Sequence, residues 1–580
     1  MKRNWKLKNL LPENALSNSE SLDEFKKEIE SLKSNVRLPD LIIQLLYQRG
    51  ITNYAKVIKF FKPTKEKLYS PFLLKDCEKA ADRLVEIIKN KERIMVLGDY
   101  DVDGTCGVSM FYLFLKKFGA EPLVYIPDRI TEGYGISNKA INLAKEQGIK
   151  LIVSIDCGIT AAEQVKYANE LGVDFIICDH HQPPDELPDA FAVINPLRKD
   201  CSYTFKHLCG TGVAFKLIQA VCEKIGESNF THTLYDFVAI ATASDIVSVT
   251  DENRILVNEG LELINKNPRP AFRVLIESSN MKIGAMNTTN IVFTIAPRIN
   301  AVGRLGDAKR AVELLTSEKE EELDELVSIL NKENLERRKL DKEITETAYS
   351  ICEENHFNEK FNVIILHNDS WHPGVVGIVA ARLVEKYHLP SIVLTTVNGV
   401  AKGSARSING FNVYEALKKC DNLLVKYGGH YHAAGLEIEV DKIEEFKNAL
   451  NEIASAQISD EDKIPEIEID AELKFSEINN YLLSILQYFE PYGPSNVTPV
   501  FCTKNVRIVG DVKTGKVDTH IFKLADDEFE NVFDAVFFNS AEYSCYIKPG
   551  NRCDVCYSLD WNEWNGHKSI RMKIKEMKFY

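Results

Sequence analysis

Four stretches of this sequence place carboxylates and imidazoles directly behind apolar runs. IMVL (94–97) is followed by Gly98-Asp99-Tyr100-Asp101-Val102-Asp103-Gly104, and LIVSI (151–155) by Asp156-Cys157-Gly158. FIIC (175–178) leads into Asp179-His180-His181, and FVAIATAS (237–244) into Asp245. Taken singly, an aspartate behind a strand is a turn former or a helix cap. Taken together, four strand ends in order deliver at least four carboxylates and two imidazoles to one crevice, because parallel sheets bind ligands at their carboxyl ends. Like charges crowded there raise one another's pKa and repel, so a cation is required. Oxygen and imidazole donors without thiolates fit Mn2+ or Mg2+ better than a structural zinc. Six donors are too many for one catalytic ion that keeps open positions. Two ions ~3.5–4 Å apart, sharing a carboxylate, satisfy the set and serve phosphoryl chemistry, one activating water and the other stabilising the leaving oxygen. The run Asp99-x-Asp101-x-Asp103-Gly104 also opens like an EF-hand calcium loop. That reading fails, because the twelfth position is Met110 where Glu is needed and the preceding run reads as a strand.

The elements that must hold these groups follow from hydrophobic patterning. From 76 to about 250, short apolar runs alternate with helical stretches such as AADRLVEIIKNK (80–91), which implies βαβ units and a parallel sheet. Residues 1–75 read as a helical extension with small apolar clusters such as Leu41, Ile42, Leu45 and Leu46. The charged segment 317–356 lacks Gly and Pro and spaces Leu323, Leu326, Leu330, Leu340 and Ile344 helically, predicting one long helix that joins two lobes. A second αβ region opens with FNVIILH (361–367). Beyond it, VRIVGDV, HIFKLA, VFDAVFF, RCDVCYSL and IRMKIKEM alternate with polar turns, which suggests a small β-barrel of the OB-fold kind. The expected architecture is therefore α/β and multidomain. It comprises an extension (1–75), a parallel-sheet catalytic domain (76–316), a connecting helix (317–356), an αβ domain (357–460) and an OB-like barrel (461–580).

Composition narrows the class. At ~100–200 residues per domain, 580 residues exceed one core, and 45% hydrophobic with 27% charged residues excludes a disordered chain. The net charge of −14 excludes a histone-like polycation, although a local basic groove would suffice to track phosphates. The start MKRNWKLKNLLPENALS lacks a signal-peptide core and no run reaches 18 apolar residues, so the expectation is a cytoplasmic protein without a membrane span. Cysteines such as Cys157, Cys178 and Cys222 sit in apolar runs, as reduced, buried thiols do. Cys553 and Cys556 have zinc-ligand spacing but no second pair nearby, and they read as strand residues. No G-x-x-x-x-G-K-[ST] phosphate loop occurs, so ATP-driven unwinding would need a separate helicase.

The ordered set GDYDVDG, DCG, DHH and ATASD resembles the four motifs of the DHH phosphoesterase superfamily. IPDRITEGYG (126–135), APRINAVGRLGDA (296–308), SWHPGVVGIVAARL (370–383), GSAR (403–406) and GGHYHAAG (428–435) are similar to its single-stranded-DNA exonuclease branch, RecJ, over essentially 40–580. One departure is Leu97, where some members carry a polar residue. The resemblance implies that Asp101 and Asp103 are a metal-binding pair, with Asp99 beside them, Asp156 bridging two ions, and His180 and Asp245 as further ligands. It also implies that His181 acts near the scissile phosphate and that Asp179 orients the pair. Asp101, Asp103, Asp179 and His181 form the catalytic group on this reading. The second αβ region resembles the DHHA1 domain. There Ser404, Arg406 and Arg129 would hold a 5′ terminal phosphate, Gly428, Gly429 and His430 would bind the strand, and Arg298 and Arg304 would contact it near the cleavage site. Arginine suits such a pocket because its fork pairs bidentately with phosphate oxygens. Interdomain ion pairing is the plain alternative for Arg298 and Arg304.

The activity implied is two-metal hydrolysis of single-stranded DNA from the 5′ end, releasing 5′ mononucleotides in DNA repair and recombination. The implied cofactors are two Mn2+ or Mg2+ ions. The implied partners are a single-stranded-DNA-binding protein and a helicase, and the enzyme would be a monomer. The alternatives are a phosphodiesterase of short RNA oligomers or cyclic dinucleotides, and a non-catalytic scaffold of the same fold. Tyr488, Phe489, Tyr492, Phe537, Phe538, Trp561 and Trp564 could stack bases, though most read as core or rim.

Overall fold

The computed structural model describes residues 3–9, 19–515, 518–564 and 566–580. It divides into two compact units, one made of Trp5–Tyr125, Gly135–Thr294 and Glu466–Tyr580, the other of Met1–Asn4, Ile126–Tyr134 and Ile295–Pro465.

The first unit contains a parallel sheet of five strands: β1 (Arg93–Gly98), β2 (Glu121–Tyr125), β3 (Leu151–Ile155), β4 (Asp174–Cys178) and β5 (Ala192–Ile194). Their spatial order is β2-β1-β3-β4-β5, every neighbouring pair parallel. All five residues of β3 are buried, as expected where both faces of a sheet are covered and the run is continuously apolar. In this order the chain reverses direction across the sheet between β1 and β3. Loops leaving those two strands diverge there, opening a crevice at their carboxyl ends. Four helices matter to that crevice: α1 (Val102–Lys117), α2 (Gly210–Ile225), α3 (Tyr235–Ser244) and α4 (Asp251–Lys266).

One expectation is corrected here. FVAIATAS is not a strand but most of α3, so Asp245 leaves the end of a helix while the other three clusters leave β1, β3 and β4. A run of eight apolar and small residues carries no period that separates a buried strand from a buried helix. Its three alanines favour the helix.

The carboxyl-terminal strands Phe501–Thr514, His520–Ala525, Val532–Phe537, Arg552–Trp564 and His567–Phe579 close into a five-stranded barrel, since the first pairs with both the second and the fourth. The barrel does not stand apart from the amino-terminal helices Asp40–Tyr47 and Tyr54–Phe61. Leu45, Leu46 and Phe60 share one buried cluster with Phe489, Phe522, Tyr557 and Met572. Cys553 belongs to that cluster, whereas Cys556 packs in a separate one with Cys502, so the two thiols do not converge on a metal. All cysteines but Cys545 are buried, and none is in a disulfide.

The second unit holds a mixed sheet in the order 424–429, 433–439, 400–406, 391–397 and 364–367, with only the last pair parallel. The charged segment is a single helix, Glu320–Glu354, of 35 residues. No helix among the described residues is long and apolar enough to cross a membrane.

Candidate active site

The crevice at the carboxyl ends of β1 and β3 collects the four acidic clusters. Asp101 caps α1, its Oδ1 accepting the N–H groups of Asp103 (2.9 Å) and Gly104 (3.1 Å). Asp103 is held from the other side, accepting from Gly210 N–H at 2.6 Å and Thr211 N–H at 2.8 Å in the first turn of α2. A carboxylate at a helix amino terminus is favoured by orphan N–H groups and the dipole. Asp156 follows β3 in the left-handed region, φ +63°. A Cβ at position 210 would lie 2.5 Å from the Asp156 Cβ and 2.7 Å from its Cα, so only glycine lets α2 come this close. Backbone N–H groups thus fix the carboxylates of Asp101 and Asp103, and Gly210 packs against Asp156.

The imidazoles complete the cluster. His180 Nε2 lies 3.2 Å from Asp156 Oδ1, 3.5 Å from Asp245 Oδ2 and 4.0 Å from Asp103 Oδ2. His181 Nδ1 sits 2.7 Å from Asp179 Oδ1. Asp179 is buried and accepts further bonds from the N–H groups of Ile159, His180 and His181. Asn195, at the end of β5, donates to the His181 carbonyl at 2.8 Å. Together these bonds hold the Asp179 carboxylate, which in turn orients the His181 ring.

Electrostatics separate Asp179 from the rest. Burial alone would raise its pKa, but the hydrogen bond and charge of His181 outweigh burial and hold it down to about 2. His181 is correspondingly pushed up: burial opposes its charge, and Asp179 prevails. Asp156 and Asp245 lie well above the ordinary carboxylate range, from burial first and then from the neighbouring carboxylates. Asp101 is raised by burial and by Asp103.

The donor set fits divalent cations. Three overlapping groups, Asp99-Asp101-Asp156, Asp103-His180-Asp245 and Asp156-His180-His181, each present three ligand atoms within 4.8 Å of one another. All are oxygens or imidazole nitrogens, the chemistry of Mn2+ and Mg2+. Among the described residues, none donates a hydrogen bond to the buried Oδ2 of Asp245, which is costly for a carboxylate unless a cation faces it. The carboxyl end of α3, which Asp245 caps, adds negative dipole favouring the same charge.

The second compact unit carries the other expected residues. Register aligns Ser404 with Gly435 and Gly435 with Gly428, so GSAR and GGHYHAAG meet across three adjacent strands. His430 N–H donates to the Ala433 carbonyl at 2.8 Å across the turn that follows Gly429. Arg406 Nη1 donates to Ser404 Oγ at 2.8 Å. Burial and the Arg129 charge both lower the Arg406 pKa, the mark of two guanidiniums crowded where an anion would relieve them. Helix Val376–Tyr387 begins at this pocket: a Cβ at Gly377 would lie 3.0 Å from Ser404 Oγ. Arg298 Nε donates to Asn331 Oδ1 at 2.7 Å, and Arg304 Nη1 to the Gly374 carbonyl at 3.1 Å.

Sequence reasoning missed Gly210, Thr211, Asn195 and Gly377. Gly210 and Thr211 had a signal in CGTG (209–212), glycines at a helix start beside an apolar run.

Comparison with known proteins agrees with this geometry. Residues 93–242 match the DHH family, N-terminal domain, residues 360–466 the DHHA1 domain and residues 469–576 the RecJ OB domain. The single-stranded-DNA-specific exonuclease RecJ of Bacillus subtilis (strain 168) is 37% identical over 95% of this chain and 69% of its own length. The corresponding protein of Salmonella typhimurium is 31% identical over 93% and 96%. The crystal structure of RecJ in complex with Mn2+ from Thermus thermophilus superposes with a TM-score of 0.83 at 26% identity, covering 99% of this chain and 79% of that one. With its acidic cluster at the strand-order reversal, its DHHA1 sheet and its closed barrel, the chain belongs to the RecJ family of the DHH superfamily.

Proposed function

We propose that this chain is a metal-dependent exonuclease that degrades single-stranded DNA from the 5′ end to 5′ mononucleotides. The observation that carries the reading is the convergence of buried Asp99, Asp103 and Asp156 with half-buried Asp101, His180 and Asp245, in a family whose relatives are named for this activity. These six residues would hold two Mn2+ or Mg2+ ions, which when bound supply an activated water and neutralise charge on the phosphoryl group. Asp179 keeps a proton on His181 Nδ1 and so presents Nε2, the other ring nitrogen, to stabilise charge developing on a phosphate oxygen.

Ser404, Arg406 and Arg129 bind the terminal phosphate, and that fixes the end from which nucleotides are counted. Gly428, Gly429, His430, Arg298 and Arg304 contact the strand. The extension, DHH, connecting-helix, DHHA1 and OB-like segments (1–75, 76–316, 317–356, 357–460, 461–580) are the working divisions. The enzyme acts as a monomer in the cytoplasm, in DNA repair and recombination, with a helicase supplying single strands and a single-stranded-DNA-binding protein presenting them. The barrel and the extension that shares its core speak against the compact phosphodiesterases of dinucleotides. The filled acidic cluster speaks against a scaffold.

Replacing Asp156 with Ala is expected to abolish Mn2+-dependent release of nucleotides from single-stranded DNA while the protein stays folded by circular dichroism. Unchanged activity in Asp156→Ala would overturn the reading.

A further inference from the structure

Two buried cysteines that play no part in the acidic centre face each other across the seam of the barrel. Register places Cys502 of strand Phe501–Thr514 directly opposite Cys556 of the antiparallel strand Arg552–Trp564, the pairing that closes the barrel. The Cys502 carbonyl accepts an N–H at 2.8 Å from Leu473, just past the short parallel strand Ala471–Glu472. Both amide groups of a strand residue point the same way, so those of Cys502 turn away from Cys556. The two thiols therefore form a non-hydrogen-bonded pair, the kind that brings opposite side chains closest, with Cα atoms ~4.5 Å apart. That separation lies within the ~4.4–6.8 Å that a disulfide spans between Cα atoms. The register also slips beside the pair, between Thr503 and Val506 and, toward strand His567–Phe579, between Cys556 and Tyr557. Such irregularities leave the backbone there adjustable.

The cover over the pair is slight. Trp5, Ile467, Ile469 and Val500 pack around the two thiols. Trp5 belongs to the four-residue strand Asn4–Leu7, three of whose residues are exposed and which pairs, among the described residues, with Glu466–Ile469 alone. The Lys578 ammonium lies 4.4 Å from the Trp5 ring centroid and holds the ring down. Against that, the buried Trp5 Nε1–H finds no acceptor among the described residues, a cost that lifting the ring removes. A strand held by so few contacts opens locally without the domain unfolding. Under cover the thiols are inert, because burial pushes the Cys502 pKa up to about 11 and the Cys556 pKa higher still. After burial, the next influence on Cys556 is Cys502 itself. Once uncovered, the thiols lose that penalty, while Lys504 beside Cys502 and Lys578 beside Cys556 favour the thiolates.

We infer that Cys502 and Cys556 are a site of reversible oxidation by hydrogen peroxide, forming a cross-strand disulfide that fastens the barrel seam. Cys502 is 5% exposed and Cys556 fully buried, so the Cys502 thiolate attacks first. Its sulfur bonds to one peroxide oxygen as the O–O bond breaks, giving a sulfenic acid and a hydroxide that takes up the proton shed by the thiol. The Cys556 thiolate then attacks that sulfur, the S–O bond breaks, and the departing oxygen leaves as a second water carrying the Cys556 proton. Two thiols and one peroxide thus become one disulfide and two waters, with two electrons passing from sulfur to oxygen. A dithiol reductant reverses the step by exchange. Neither cysteine belongs to the metal or phosphate residues, so the site stands whether or not the chain is a nuclease.

The test exposes the folded full chain, loaded with Mg2+, to hydrogen peroxide, alkylates the remaining thiols and maps peptides by mass spectrometry. The expected product is a linked pair of peptides holding Cys502 and Cys556, lighter by two hydrogens than the separate peptides. It should vanish on treatment with dithiothreitol and be absent from Cys502→Ser and from Cys556→Ser. Cys545→Ser should leave it unchanged, since the exposed thiol takes no part. In Trp5→Ala the bond should form about tenfold faster, as expected when local opening becomes easier. The oxidised chain should show a Tm higher than that of the reduced chain by about 5 °C or more, because the bond closes a long loop in the unfolded state. Three products in the parent chain would overturn the inference: both cysteines still alkylated, Cys502 carried to the sulfinic acid with Cys556 untouched, or either linked to another cysteine. An oxidised chain that melts no higher than the reduced one would overturn the fastening of the seam, and an unchanged rate in Trp5→Ala the role of Trp5 as cover.

Discussion

At the scale of single residues, the centre divides its carboxylates between two jobs by environment. Asp179 is stabilised as an anion by three N–H groups and His181, and with a pKa of about 2 it is ionised throughout any workable assay range. Its task is to orient His181. Asp179→Asn should lower kcat by about 100-fold or more while leaving the KM for single-stranded DNA within about threefold, as outer-shell and tautomer-fixing changes do; steady-state kinetics on a long strand checks this. Asp156 and Asp245 behave in the opposite way. Their raised pKa values mean that the metal-free fold retains protons which the unfolded chain, titrating near ~3.9, has already lost. Stability of the metal-free fold therefore falls as pH rises from that value through the raised ones. A bound cation takes the protons' place, so the gain in Tm on adding Mn2+ should be larger at about pH 8 than at about pH 6. In Asp156→Asn combined with Asp245→Asn that difference should vanish, and equal gains in the parent protein would contradict the assignment.

At the scale of elements, the strand ends were legible and the clamps on them were not. Carboxylates behind IMVL, LIVSI and FIIC announce themselves locally, because a buried strand must be apolar until it leaves the sheet. Asp245 was legible as a residue while its element was misread, since FVAIATAS has no period to arbitrate. The clamp of Asp103 by Gly210 and Thr211 spans more than a hundred residues, and no local pattern encodes a contact of that range. The same holds for Arg254 of α4. Its guanidinium is buried and directs all five N–H donors to carbonyls, at Phe60, Tyr488, Phe489, Glu490 and Pro491. This ties α4 to helix Tyr54–Phe61 and to the turn before the barrel. A lysine has three donors and no planar fork, so Arg254→Lys should leave buried carbonyls unsatisfied and lower the unfolding free energy by about 2–4 kcal/mol. Denaturant melts of the metal-loaded protein measure it, and a change under about 0.5 kcal/mol would contradict the clamp.

At the scale of the whole molecule, a chain of net charge −14 is assigned to nucleic acid, and the placement of charge resolves that tension. Six of the acidic side chains, Asp99, Asp101, Asp103, Asp156, Asp179 and Asp245, belong to one centre, whose negative charge is a binding site for cations. Others crowd the helix Glu320–Glu354, which opens with Glu320, Glu321 and Glu322. The extension that shares a core with the barrel could not be foreseen, because Leu45, Leu46 and Phe60 meet Phe522 and Met572 across most of the sequence. The central claim is that the acidic centre hydrolyses single-stranded DNA counted from a 5′ phosphate. Its most direct test is digestion, with Mn2+, of internally identical strands that carry a 5′ phosphate, a blocked 5′ end or a blocked 3′ end, with products resolved by length over time. The expected result is stepwise release of 5′ mononucleotides from the 5′-phosphorylated and 3′-blocked strands and arrest on the 5′-blocked strand. Digestion that stops at the 3′ block and ignores the 5′ block would contradict it.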